Sequence, residues 1–97
     1  MPGQILFRGR VKYVNDPGIS SGYNRGAPCI VTTNEVQIGG DGPITVSIDD
    51  VRYTEVVESD RGFRVYFDTR INYWIVYFNT LQECESFHNA VKRAVNL

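Results

Sequence analysis

Apolar and polar positions alternate along most of this chain, then switch to a helical period near its end. From Ile5 to Val14 the period is two: Ile5, Phe7, Val11 and Tyr13 point one way around Gly9, and Leu6, Arg8, Arg10, Lys12 and Val14 point the other. That predicts one strand with one buried face. Asn15 to Pro28 is rich in turn chemistry, with Asp16-Pro17-Gly18, Ser20-Ser21-Gly22 and Gly26-Ala27-Pro28. A connection this long is expected to be the most mobile segment and to stand beside the ligand-facing end, so that replacing Ile19 to Asn24 by a short turn barely changes stability but weakens ligand or partner binding.

Shorter strands follow. Cys29 to Thr33 is β-branched, Asn34-Glu35 turns the chain, and Val36 to Ile38 returns it. Gly39-Gly40-Asp41-Gly42-Pro43 is the strongest breaker. Ile44 to Ile48 alternates cleanly, and Asp49-Asp50 punctuates it. Val51 to Glu58 predicts a strand bent near Val56-Val57, where the alternation slips. Phe63 to Phe67 and Tyr73 to Phe78 form an aromatic hairpin turning near Asp68 to Ile71.

The helical period occupies Thr80 to Val95. Leu81, Cys84, Phe87, Val91, Ala94 and Val95 share one face. Thr80 and Glu83 have capping-box spacing: the hydroxyl is expected to accept from the Glu83 N–H, and the carboxylate to reach back to the Thr80 N–H. Glu83 and Glu85 near the start and Lys92 and Arg93 near the end agree with the helix dipole. The chain therefore predicts a mostly β, α+β fold of seven antiparallel strands, a barrel or sandwich capped by one C-terminal helix.

Composition narrows the function more than the fold. At 97 residues the chain is expected to be one domain spanning 1–97. A net charge of −1 provides no global attraction to nucleic acid or anionic lipid, so no nucleic-acid partner is expected and lipid binding would need a local patch. Met1-Pro2-Gly3-Gln4 lacks a signal-peptide pattern, and no apolar run has membrane-spanning length. The expected location is cytoplasmic, peripheral at a membrane if a headgroup is bound. The ends of the chain suit a trimmed module and a stand-alone protein alike. Cys29 and Cys84 read as two buried thiols, and no Cys/His spacing suggests zinc.

Seven short strands followed by one terminal helix resemble the pleckstrin-homology-like superfold, shared by PH, GRAM, phosphotyrosine-binding and bacterial PH-type domains. Three stretches carry the resemblance. Ile30-Val31-Thr32-Thr33-Asn34 looks like the strand and turn of GRAM-type chains. Ile44 to Val51 looks like their isoleucine, small polar, aspartate, valine linker between the barrel halves. Phe78 to Phe87 looks like their last strand entering the helix. The PH branch often carries a Trp within the helix, whereas the single Trp here, Trp74, lies in the last strand. The resemblance implies a PH-like domain that presents surfaces to ligands.

Two sets of residues are candidates for that surface. If Trp74, Val76 and Phe78 point inward, Tyr73, Ile75 and Tyr77 point outward, with Tyr66 and Arg64 beside them. Tyr66, Tyr73, Ile75 and Tyr77 are thus the expected contacts for a protein or peptide partner, an adaptor or scaffold function, laid between the helix and a sheet edge. Cover by the same chain, or by a second copy in a homodimer, competes with that reading. The alternative is a phosphoinositide or anionic-membrane site made by Arg8, Arg10 and Lys12 on one strand face and Arg25 across the loop. The resemblance supplies the late first-strand cations through Arg10 and Lys12. It lacks the basic second strand, because Cys29-Ile30-Val31 stands there. His88 reads as a boundary histidine, Asp49-Asp50 as a turn, and Gly39 to Pro43 lacks the Lys and following helix of a phosphate loop. No enzyme activity, metal or cofactor is expected.

Overall fold

The first strand breaks in two at Val11-Lys12, and the break organises the fold. The Val11 N–H donates to the Ala27 carbonyl at 3.0 Å, on the side of one sheet. The next N–H, of Lys12, donates to the Tyr77 carbonyl at 2.7 Å, in the other sheet. Val11 and Val14 are both fully buried although three residues apart, which a straight strand does not allow. The expected single strand is corrected to two, and the strand count rises from seven to eight for that reason.

The structure, a computed structural model, describes residues 3–16, 22–59 and 62–96. Its elements in order are β1 (Ile5–Arg10), β2 (Tyr13–Asn15), β3 (Pro28–Thr32), β4 (Glu35–Ile38) and β5 (Ile44–Ser47). A 3-10 turn, Ile48–Asp50, leads to β6 (Val51–Ser59), β7 (Gly62–Thr69), β8 (Tyr73–Phe78) and α1 (Leu81–Val95). One antiparallel sheet has the order β1-β3-β4-β5 and the other β2-β8-β7-β6. The chain passes between them at Val11-Lys12 and at the 3-10 turn. β5 and β6 do not pair, so the barrel is not closed. The bend expected at Val56-Val57 is absent, since those residues pair regularly with Val65 and Arg64. The irregularity lies between Val51 and Tyr53, directly after the corner, where the chain absorbs its change of sheet.

Inner faces of both sheets and the apolar face of α1 enclose one core. Phe67, Phe78 and Phe87 are its largest fully buried side chains. Phe87 brings the helix onto Phe7, Phe67 and Phe78, with ring centroids 5.9, 6.0 and 5.2 Å away. Burying such a ring stabilises by about 1.5–3 kcal/mol. The Phe7 ring folds over Gly9, where an added Cβ would lie 2.8 Å from the ring Cζ. Ala90 joins the buried helix face, while Val95 at its end is exposed. Thr80 is the N-cap and its Oγ1 accepts from the Glu83 N–H at 3.1 Å, as expected. The Glu83 carboxylate is corrected: it accepts from the Thr80 hydroxyl at 3.1 Å, not from the Thr80 backbone.

The expectation for Asn15 to Pro28 is also corrected, because its second half packs. Tyr23 bridges Val14 by two backbone hydrogen bonds of 2.7 and 2.9 Å. Asn24 is buried in the left-handed conformation, which Asn tolerates better than most residues. Its side chain clasps Gly42, accepting from the N–H and donating to the carbonyl, both at 2.7 Å. Gly40 sits against it at φ 101°, with no room for a Cβ beside the Asn24 Oδ1. Residues 17–21, within the same expectation, lie outside the described residues.

Candidate functional site

The second sheet turns one face to the core and leaves the other uncovered by α1. Alternation puts Val65, Phe67, Val76 and Phe78 inside. The opposite positions align across the four strands in register. Tyr13, Tyr77, Arg64 and Val57 form one row; Asn15, Ile75, Tyr66 and Glu55 the next; Tyr73, Asp68 and Tyr53 the last. Five of the six tyrosines therefore stand on one outer face.

These side chains interlock. Tyr66 stacks on Tyr73 with centroids 5.7 Å apart. The Arg64 guanidinium lies over the Tyr66 ring at 5.3 Å and donates to the Tyr77 hydroxyl at 3.3 Å. That hydrogen bond, more than any other contact, holds the Arg64 pKa above its ordinary value. Tyr77 stacks on Tyr13 at 4.3 Å, and Arg25 covers Tyr13 at 5.0 Å. Burial pushes the Tyr73 hydroxyl pKa up, with Tyr66 and Asp68 adding to the shift. Tyr53 donates to the Glu55 carboxylate at 2.6 Å at the far edge.

Of the four expected contacts, Tyr66, Tyr73 and Ile75 stand together, half-buried. Tyr77 points away from the core as expected but is only 3% exposed, because Tyr13 and Arg64 cover it. The expectation that it is free to meet a partner is corrected. Tyr13 was expected on the same side of the strand as Phe7 and Val11. The break at Val11-Lys12 reverses its phase and delivers it to the outer face. Nor do these residues lie between the helix and a sheet edge. The groove there is lined by Val51 to Thr54 of β6 and by Lys92, Val95 and Asn96.

The four basic residues divide. Arg8 and Arg10 are exposed on β1, opposite Phe7 and Gly9, and Lys12 is exposed at the crossing. Arg10 donates to the Gly26 carbonyl at 2.9 Å, and the Gly26 N–H donates to the Lys12 carbonyl at 3.3 Å, so the loop folds against both. Arg25 is drawn onto Tyr13 and belongs to the edge of the tyrosine face.

Remaining candidates have structural duties. His88 shares a 3.2 Å hydrogen bond with Thr54, and burial followed by Lys92 lowers its pKa. Asp50 pairs with Arg70 at 3.9 Å beside the 3-10 turn. Burial pushes the Cys29 thiol up to about 12 and the Cys84 thiol up to about 11. Among the described residues no three His, Cys, Asp or Glu side chains are grouped to hold a metal, and no helix is long and apolar enough to cross a membrane.

No protein-family model and no curated protein matches this sequence. Solved structures do. A Vps36 N-terminal PH domain superposes with a TM-score of 0.71 at 11% identity, covering 97% of this chain and 83% of that one. A chain of the 8S snRNP assembly intermediate superposes with a TM-score of 0.68 at 8% identity, covering 99% of this chain and 91% of that one. With two antiparallel sheets, an open corner between β5 and β6, and a helix closing the core, this chain has the PH-like fold.

Proposed function

We propose that this chain is a non-catalytic protein-interaction module that engages a partner protein or peptide through the outer face of the second sheet. The concentration of Tyr13, Tyr53, Tyr66, Tyr73, Ile75 and Arg64 on the sheet face that α1 leaves open carries this reading. Tyr and Arg are the residues that dominate protein interfaces, because they bury large area and keep polar tips satisfied. Stacking already restrains these side chains, so little rotamer entropy remains to be lost on binding. The same fold occurs in a chain of an snRNP assembly intermediate, which is consistent with use inside an assembly.

Proteins captured by wild type are compared with those captured by Tyr66→Ser/Tyr73→Ser and by Arg52→Ser/Val95→Ser in the helix-edge groove. Loss of the same partners in the first variant alone supports the outer face. Equal loss only in the second moves the site to the groove. Arg8→Ala/Lys12→Ala is tested in parallel on vesicles with and without phosphoinositides. Salt-sensitive wild-type binding that this variant loses would replace the protein reading by the headgroup reading.

A further inference from the structure

We propose that the outer tyrosine face closes on a second copy of this chain as a two-fold homodimer, an assignment of the partner that rests on the reading of this face as a protein-docking surface. The outward residues of β7 run Arg64, Tyr66, Asp68: cation, ring, carboxylate. Beside them β8 presents Tyr77, Ile75, Tyr73, which reads the same in both directions.

Consider two copies packed face to face, with the two-fold axis running across the strands along the middle row. Each outward residue then meets the residue on the same strand that lies equally far beyond the axis. An isologous contact is reciprocal. Arg64 meets Asp68 of the second copy, and Asp68 meets its Arg64. The Tyr13 ring that covers Tyr77 meets Tyr73. Tyr66 and Ile75 meet themselves on the axis. Glu55 also falls in the middle row, on edge strand β6, and so faces its own copy across the axis, a like-charge meeting that the other contacts must outweigh. Its carboxylate is already engaged by Tyr53.

A second observation points to the same axis. Among the described residues, two buried side-chain polar atoms have no hydrogen-bond partner: Asn15 Oδ1 and Arg64 Nε. Both residues occupy outward positions of this face. A buried donor or acceptor left unmade is costly. Neither atom is exposed in the single chain, so a partner reaches it only after the side chains over it shift, and the two-fold places one beside each residue. Asp68 of the second copy brings a carboxylate to Arg64, and Asn15 meets Asn15, whose amide carries both a donor and an acceptor. Rotamer adjustment of the kind common at interfaces brings these atoms together.

Sedimentation of wild type over a dilution series tests the pairing, alongside Arg64→Asp, Asp68→Arg and an equimolar mixture of the two. Each variant alone opposes like charges at both ends of the face, so its dimerisation weakens by roughly tenfold or more. The mixture places Asp on Arg at both ends and recovers the dimer, a result that loss of folding cannot imitate. Ile75→Cys, on the axis, is expected to cross-link to itself with a short bis-maleimide, and Val57→Cys, off it, is not. A wild type monomeric at every concentration, or a dimer indifferent to both charge changes, overturns the inference. If the chain is monomeric while Tyr66→Ser/Tyr73→Ser still loses captured proteins, the dimer falls and the docking surface stands. If that variant loses nothing either, both fall.

Discussion

Tyr13 lies flat on Tyr77, with ring centroids 4.3 Å apart and planes 21° apart, and this stack hides a tyrosine that points away from the core. It also ties the short edge strand β2 to β8 by side chains as well as by its ladder. Tyr13→Ala uncovers Tyr77 and releases Arg25. A loss of about 1–2 kcal/mol is expected in urea unfolding, beyond that of an ordinary surface substitution. A loss within a few tenths would mean the stack is not held in solution.

Gly9 is where β1 lets the Phe7 ring fold back against the core. Gly9→Ala places a methyl group against that ring, which Phe78 and Phe87 hold from two further sides. Destabilisation of about 1–3 kcal/mol is expected from overpacking. Adding Phe7→Leu should relieve part of it, and strictly additive losses in the double variant would contradict the contact.

Asn24 joins the loop to the breaker through Gly42. Asn24→Ala removes two hydrogen bonds and leaves the Gly42 groups unpaired, for an expected cost of about 2–3 kcal/mol. Chemical denaturation measures it. A neutral result would show that this clasp does not hold the loop in solution.

His88 gives a pH signature. Its pKa is lowered in the folded chain by burial and by Lys92, against smaller opposing pulls from Glu55 and Glu85. The unfolded chain therefore binds the proton first as pH falls. Its contribution to stability is complete above about 6.5, the ordinary histidine value, and is lost as pH falls towards the lower folded value. In His88→Asn this part of the acid dependence should flatten, while the carboxylate-driven part at lower pH remains. Parallel stability curves for the two proteins would show that His88 is not shielded.

Cys29 and Cys84 are free, buried thiols with raised pKa values. Neither should react with a thiol reagent at neutral pH faster than the chain opens, so labelling is expected to track denaturant. Rapid labelling without denaturant would place one of them at an accessible surface.

Local period was sufficient for much of this structure. The hairpin of β7 and β8, the inward set Trp74, Val76 and Phe78, and the buried face of α1 follow from spacings of two, three and four. The Thr80 cap was readable because its partner is three residues away. Such features depend on residues whose relative directions the backbone itself sets. The destination of Tyr13 was different. Its alternation with Phe7 and Val11 is faithful to one strand, but a strand passing between two sheets must rotate, and Val11-Lys12 absorbs that rotation because Ala27 and Tyr77 offer their carbonyls on different sides. Only that turn brings Tyr13 onto Tyr77, draws Arg25 away from the other cations, and sets Asn15 in the row of Ile75 and Tyr66. The tyrosines were visible in the chain from the start. Alternation within one hairpin already put Tyr66, Tyr73 and Tyr77 together; the arrival of Tyr13 and Tyr53 on the same face depended on strand order and register, which pair residues far apart in sequence and leave no local periodic trace.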